Sequence, residues 1–294
     1  MSQAAHSISS EQLPGLAQRR GRNALMTAVL GLTMLAAIGV LAWVLIYVAI
    51  QGYNFLGPSF FTANPPGNPG RGGGGFYNGI VGSFIVVGIA SVMAIPTGIG
   101  AALYLVEYGR GWLVQLVRFF TDVLIGIPTI VIGAFVYVIW VLRFGFSGFA
   151  GSLALAIVML PLITRTSEEI LHLVPNDLRE GSFALGATRV QTIFKIVLPT
   201  ALPGITTGVM LAVARAMGET APLLLTALGN DLFTEYNPGK RMSTLSLQIF
   251  GNAISGFKAG QARAWSGALT LIAIVLILTL TARFFAARTR ISQQ

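Results

Sequence analysis

The chain has 294 residues, 54% of them hydrophobic and 10% charged, with a mean hydropathy of +0.75. A soluble domain carries about 25% charged residues, so lipid is the main solvent here, and an all-α membrane protein is expected because the apolar runs are too long and lack the period-two alternation of strands. The net charge of +9 sits at the ends of apolar runs, which is a topology pattern and not a nucleic-acid face, and the absence of cysteine excludes disulfides, thiolate metal sites and a thiol nucleophile.

Residues 1–24 are polar and end in Arg19, Arg20 and Arg22; they are expected to form a disordered tail. The apolar run Leu25–Ile50 follows. A secretory signal has an apolar core of roughly 7–15 residues, so this longer run reads as an uncleaved first span. Residues 51–78 contain P-P-G-N-P-G-R-G-G-G-G, followed by Phe76 and Tyr77 and not by the lysine of a phosphate-cradling loop; a flexible linker is expected. A span needs about 20 apolar residues, and five more runs qualify: Gly79–Val106, Val123–Leu142, Gly148–Ile170, Gly204–Leu228 and Ser266–Phe285. Between the last two, the 230–265 segment has enough apolar residues (Leu245, Leu247, Ile249, Phe250) for a short amphipathic helix on the membrane surface. A core of residues 79–288 is expected, then a short tail, 289–294.

Orientation follows from Lys and Arg. With both termini cytoplasmic, the inner segments hold Arg19, Arg20, Arg22, Arg110, Arg118, Arg179, Arg189, Lys195, Arg283, Arg288 and Arg290. The outer ones hold Arg71, Arg143, Lys240, Arg241, Lys258 and Arg263. The bias puts the polar segment at about 171–203 in the cytoplasm.

No stretch fits G-x-x-x-x-G-K-[ST], no G-x-S-x-G elbow is present, and His6 and His172 are too far apart to make a metal site. The chain is therefore not expected to be an enzyme, nor to hold a cofactor or metal. The fifth run does carry charge: A-V-A-R-A-M-G-E-T-A-P, with Arg215 and Glu219. Arg215 lies about 16 Å along a helix from Gly204, near a bilayer midplane. An arginine there costs at least roughly 2.5–3.5 kcal/mol, so it needs a partner or a cavity. A guanidinium is a planar fork suited to oxyanions, and Glu219, four residues on, shares its face. Gly218 and Pro222 are expected to loosen the helix. The competing reading is an internal salt bridge that fixes packing. Arg165, flanked by Thr164 and Thr166, is a second basic group, readable either as a pathway residue or as an interfacial arginine that snorkels. Pro96, Pro128 and Pro161 sit within spans and read either as kinks or as packing features.

The segment Glu180–Pro199 reads E-G-S-F-A-L-G-A-T-R-V-Q-T-I-F-K-I-V-L-P. Its spacing of Glu180, Gly186, Ile196, Leu198 and Pro199 resembles the cytoplasmic loop by which ABC-importer permeases dock onto their ATPase. The family pattern has two alanines after the Glu; Gly181 and Ser182 stand here and keep the small size. Two short helices at a tight bend are expected, with Pro199 ending the second and Arg179, Glu180, Arg189 and Lys195 as polar rim contacts. Over about residues 75–285 the chain resembles permease subunits of phosphate-specific ABC importers. The likeness rests on E-Y-G-R (Glu107–Arg110), T-R-T-S-E-E (Thr164–Glu169), L-V-P-N-D-L-R-E (Leu173–Glu180) and, most specifically, A-R-A-M-G-E-T-A-P-L-L (Ala214–Leu224).

This resemblance implies a type I permease fold with six spans and a coupling helix. It implies a pore shared with a sister permease, two copies of a cytoplasmic ATPase that consume ATP and Mg²⁺, and an extracytoplasmic phosphate-binding protein, in a bacterial plasma membrane. It also maps the pathway arginines to Arg165 and Arg215 and their acidic partner to Glu219. Two alternatives remain open: another oxyanion (sulfate, molybdate or tungstate), or a structural and sensing subunit with the pathway in the sister.

Overall fold

The computed structural model describes residues 16–109 and 111–291, with side chains described for 19–109 and 111–284. Arg110, Arg288 and Arg290, invoked above for motif and orientation, lie outside the residues or side chains so described, as do residues 1–15 of the expected tail. The rest of that tail is helical: α1 runs Leu16–Tyr53, so Arg19, Arg20 and Arg22 are on its first turns. Residues up to Ile50 form a unit of their own, and those from Gln51 form a second.

In the second unit the elements follow as α2 (Pro58–Thr62), α3 (Tyr77–Glu107), α4 (Trp112–Gly126), α5 (Thr129–Val136), a wide i→i+5 turn (Tyr137–Val141) and α6 (Leu142–Phe144). Then come α7 (Gly148–His172), α8 (Asn176–Ala184), α9 (Arg189–Thr192), a second wide turn (Ile193–Val197) and α10 (Leu198–Gly218). Last are α11 (Ala221–Thr226), α12 (Leu245–Ala253) and α13 (Lys258–Ile291). Among the described residues five helices are long and apolar enough to cross a membrane, with a sixth span if the bent pair of α4 with α5–α6 counts as one. No strand forms among them; Leu228 and Met242 make an isolated bridge.

The core is the packing of α3 on α7, extended by α10. Val86, Ala90, Ala94, Leu155, Met159, Ile163, Ile205 and Ala212 are buried in it. Small residues set the helix spacing, as expected where lipid gives no hydrophobic drive to association. A Cβ on Gly98 would lie 2.8 Å from Ile163, and one on Gly208 would lie 2.5 Å from the Thr166 hydroxyl.

Four expectations need correction. The run Val123–Leu142 is not one helix. Pro128 has no N–H to give, and it drives Ile127 to an extended ψ of 129°, so α4 and α5 meet at 107°. Pro96 and Pro161, by contrast, sit inside continuous helices. The fifth run breaks earlier than Leu228: Glu219 leaves the helix with ψ 130°, and α11 restarts with Pro222 in its first turn.

The 230–265 helix, α12, does not lie on a surface. It is wedged against α3 and α13, with Ser246, Gln248 and Asn252 buried. Its polar side chains face polar partners. Gln248 donates to Asn78 Oδ1 (2.7 Å), Ser83 Oγ accepts the Leu245 N–H (2.8 Å), and Asn252 donates to the Gln248 carbonyl (3.0 Å). The glycine-rich linker is held, not loose. Arg263 of α13, fully buried, donates to the carbonyls of Pro69 (2.7 Å), Arg71 (2.6 Å) and Gly73 (3.3 Å). A chain of glycines and prolines has carbonyls to spare, and a guanidinium has five donors and no acceptor. At the same end Glu235 is held below the usual carboxylate range, chiefly by the Asn237 N–H and further by Lys240.

Candidate functional site

Arg215 and Glu219 pair, but not along a helix. Arg215 is in the last turn of α10, and Glu219 is the first residue beyond it, with its backbone carbonyl tied to Ser246 Oγ (2.8 Å). From that break the carboxylate accepts from Arg215 Nε at 3.3 Å. The guanidinium stays more than half exposed, while Glu219 is largely covered. The loosening expected from Gly218 and Pro222 thus sits where the charge pair is.

Arg165 repeats the device. Its Nε donates to Glu169, also four residues on, at 3.2 Å, and its Nη1 lies 3.6 Å from Glu168 Oε2. The close approach of Gly208 to Thr166 fixes the offset between the two arginine pairs: Arg215 is seven residues beyond Gly208, about 10 Å along α10. Arg165 and Arg215 therefore occupy different levels on packed helices and make no direct contact.

Glu168 was not singled out from the sequence, yet it organises this end of α7. Its side chain is 6% exposed, and Oε1 accepts from Arg118 of α4 through Nε (2.9 Å) and Nη2 (2.8 Å). His172 is exposed, with Nε2 4.0 Å from the same oxygen. A signal for Glu169 existed: R-T-S-E-E has the Arg-x-x-x-Glu spacing of R-A-M-G-E. For Arg118, fifty residues from Glu168, there was none.

The 171–203 segment folds as two helices around a bend. Gly186 has φ +80°, and the N–H groups of Gly186 and Ala187 return to the carbonyls of Phe183 (2.9 Å) and Ser182 (3.1 Å), closing α8. Ser182 is buried and shares a hydrogen bond with Thr192 (2.8 Å), which joins α8 to α9. Thr188 caps α9 reciprocally with Gln191. Glu180 and Gly181 are exposed, and a Cβ at Gly181 would meet nothing within 4 Å, so its small size serves no internal packing. Ile196, Leu198 and Pro199 are half-buried.

Two expectations fail here. Pro199 does not end the second helix, since Arg189–Gly218 is one 30-residue helix. The wide turn just before Pro199 makes room where its ring would crowd a regular helix. Arg179 is not a rim group either, whereas Arg189 stays exposed. Arg179 turns inward to Glu107 at the end of α3 (3.1 Å) and donates to the carbonyls of Val174 (2.6 Å) and Leu171 (3.1 Å). The Arg189 guanidinium lies 4.6 Å from the centre of the Tyr108 ring. Exposed apolar side chains face out instead: Leu178, Phe183, Leu185, Val190 and Phe194.

Among the described residues no group of His, Cys, Asp or Glu is placed to hold a metal ion. What the arrangement can do is hold anions with guanidinium forks and present a knob to a partner.

Residues 94–291 match the family model described as binding-protein-dependent transport system inner membrane component. The phosphate transport system permease protein PstA of Yersinia pestis is 40% identical over 274 residues, covering 92% of each chain. The protein of the same name from Haemophilus influenzae is 39% identical, covering 91% of this chain and 94% of that one. A chain from the crystal structure of a bacterial alginate ABC transporter superposes with a TM-score of 0.64 at 15% identity, covering 93% of this chain and 98% of that one. One from the inward-facing MetNI methionine ABC transporter gives 0.53 at 19%, over 72% and 93%. At such identities the likeness is one of fold. With the helix arrangement, these matches establish that the chain belongs to the family of binding-protein-dependent transport system inner membrane components, as a multi-pass subunit with the type I ABC importer permease fold.

Proposed function

We propose that this chain is a translocating permease subunit of an ATP-driven importer of inorganic phosphate, with Arg215 and Arg165 as successive stations. The carrying observation is that two half-exposed arginines stand at different levels of packed helices, each neutralised by a carboxylate four residues on. The relatives named for phosphate transport support the choice of anion. A bidentate fork suits a tetrahedral oxyanion, and Glu219 keeps Arg215 compensated while the station is empty. A sister permease completes the pore, and an extracytoplasmic binding protein delivers phosphate. Two copies of a cytoplasmic ATPase, which consume ATP and Mg²⁺, grip the knob formed by Glu180, Gly181, Ser182, Gly186, Ile196, Leu198 and Pro199. Both termini are cytoplasmic in this reading.

The test is uptake of labelled phosphate by the reconstituted system, wild type against Arg215→Ala, with excess sulfate as competitor. Uptake that needs Arg215 and ignores sulfate is expected. Normal uptake by an assembled Arg215→Ala complex moves the pathway to the sister subunit, and loss of uptake to sulfate moves the substrate to another oxyanion.

A further inference from the structure

We propose that Arg118 joins Arg165 in a second oxyanion station, with Glu168 as its fixed spacer and Glu169 as the counter-ion that a phosphate displaces. This rests on the reading of Arg165 as a pathway residue. Two guanidinia from different helices, α4 and α7, repel unless an anion stands between them. Glu168 does so with one oxygen towards each. The two carboxylates are not equivalent. Glu168, buried and bound twice by Arg118, would keep only the longer 3.6 Å contact to Arg165 Nη1 and the 4.0 Å approach of His172 if Arg118 left it. Glu169 is 62% exposed and held by the single contact to Arg165 Nε, and exposed pairs of this kind contribute little. An incoming anion therefore replaces Glu169.

Donors remain for it. Arg118 commits Nε and Nη2 to Glu168, and Arg165 commits Nε and Nη1 to the two glutamates. Nη1 of Arg118 and Nη2 of Arg165 have no protein partner among the described residues, and both side chains are nearly half exposed. With Glu169 swung out, two cations face one fixed anion, which leaves a surplus positive charge for the ligand. Each station then has its own character: Arg215 offers one fork, and this one offers two held apart by a carboxylate. Arg118 meets the anion here; it does not merely tie α4 to α7.

The experiment is arginine labelling with a dicarbonyl reagent in the assembled transporter in sealed proteoliposomes, read at each arginine by peptide mass spectrometry. Inorganic phosphate is the probe and sulfate the control. Labelling of Arg118 and Arg165 should fall together, by about threefold or more, with phosphate. Protection of Arg118 should vanish in Arg165→Gln. In Glu169→Gln, protection should appear at about tenfold lower phosphate, since the competing charge is gone. Arg118 labelling indifferent to phosphate while Arg165 is protected overturns this inference and leaves the pathway reading standing. If neither is protected in a preparation that takes up phosphate, both Arg118 and Arg165 leave the pathway. If that preparation takes up no phosphate, the proposed function itself falls. An unshifted Glu169→Gln removes Glu169 as the displaced counter-ion.

Discussion

Arg179→Met tests whether the 171–203 segment is anchored to α3 from within. Glu107 is 8% exposed and Arg179 is 14% exposed. Glu107 also ends α3, where the helix dipole disfavours a negative charge, so it depends on its partner. Methionine keeps much of the arginine stem and removes the guanidinium. Stripping one partner from a buried pair costs about 3–5 kcal/mol. A cleft of about 540 Å³ lined by Glu107, His172, Asn176, Arg179 and Arg189 lets water reach the carboxylate. The expected cost is therefore at the lower end, about 3 kcal/mol. For a unit of this size that lowers the unfolding midpoint by about 6–12 °C. The assay is fluorescence-detected size exclusion of the heated, detergent-purified complex. The double variant Glu107→Gln/Arg179→Met should regain more than half of the loss, because no charge is then stranded. A single-variant shift below about 2 °C, or a double variant no better than the single, would refute this account of the anchor.

Gly181→Trp should leave the permease folded and yet abolish co-purification of the ATPase, because Gly181 is exposed and a Cβ there would meet nothing within 4 Å inside the chain; retained ATPase would remove Gly181 from the docking face. Gly82→Ala should cost about 2 kcal/mol or more, since its Cβ would clash with the Ser243 carbonyl oxygen, and a midpoint equal to wild type would mean that α3 is free to shift there. Glu235, with its carboxyl held low, stabilises its loop above the ordinary carboxylate range, and this contribution is lost as the pH falls through the lowered value. Pepsin cleavage between Asn230 and Arg241 should therefore rise only at strongly acid pH. Glu235→Gln should remove that dependence, and an identical pH profile in the variant would assign it elsewhere.

The spans were legible because a bilayer demands long apolar runs, and Arg165 and Arg215 because charge inside such a run is conspicuous. Breaks were less legible. Pro128 bends its span, while Pro96 and Pro161 are absorbed, and only the packing around each decides. The 218–222 break was announced by Gly218 and Pro222, although its exact place at Glu219 was not. What was not legible is what Arg118, Arg179 and Arg263, counted for orientation, are bound to. Each is bound to groups of its own chain: Arg118 to Glu168, Arg179 to Glu107, and Arg263 to linker carbonyls. Those partners lie 50, 72 and 192 residues away in sequence. No local pattern encodes such pairings, and they arise only when the helices pack. Likewise α12 looked amphipathic, but the partners that cover its polar face belong to other helices.

The hold of Arg263 on the linker makes the spacing of that linker a counted quantity. Three carbonyls, at Pro69, Arg71 and Gly73, converge on one guanidinium at alternate positions along the chain. A missing or extra glycine in the run 72–75 would shift Gly75, whose backbone lies so close to Phe60 that a Cβ has no room, out of step with the arginine. What looks like low-complexity filler then behaves as a ruler. Its composition can drift at Gly72, where a Cβ would meet nothing within 4 Å, but its length cannot, and an indel there should be felt at the top of α13 and not only in the loop.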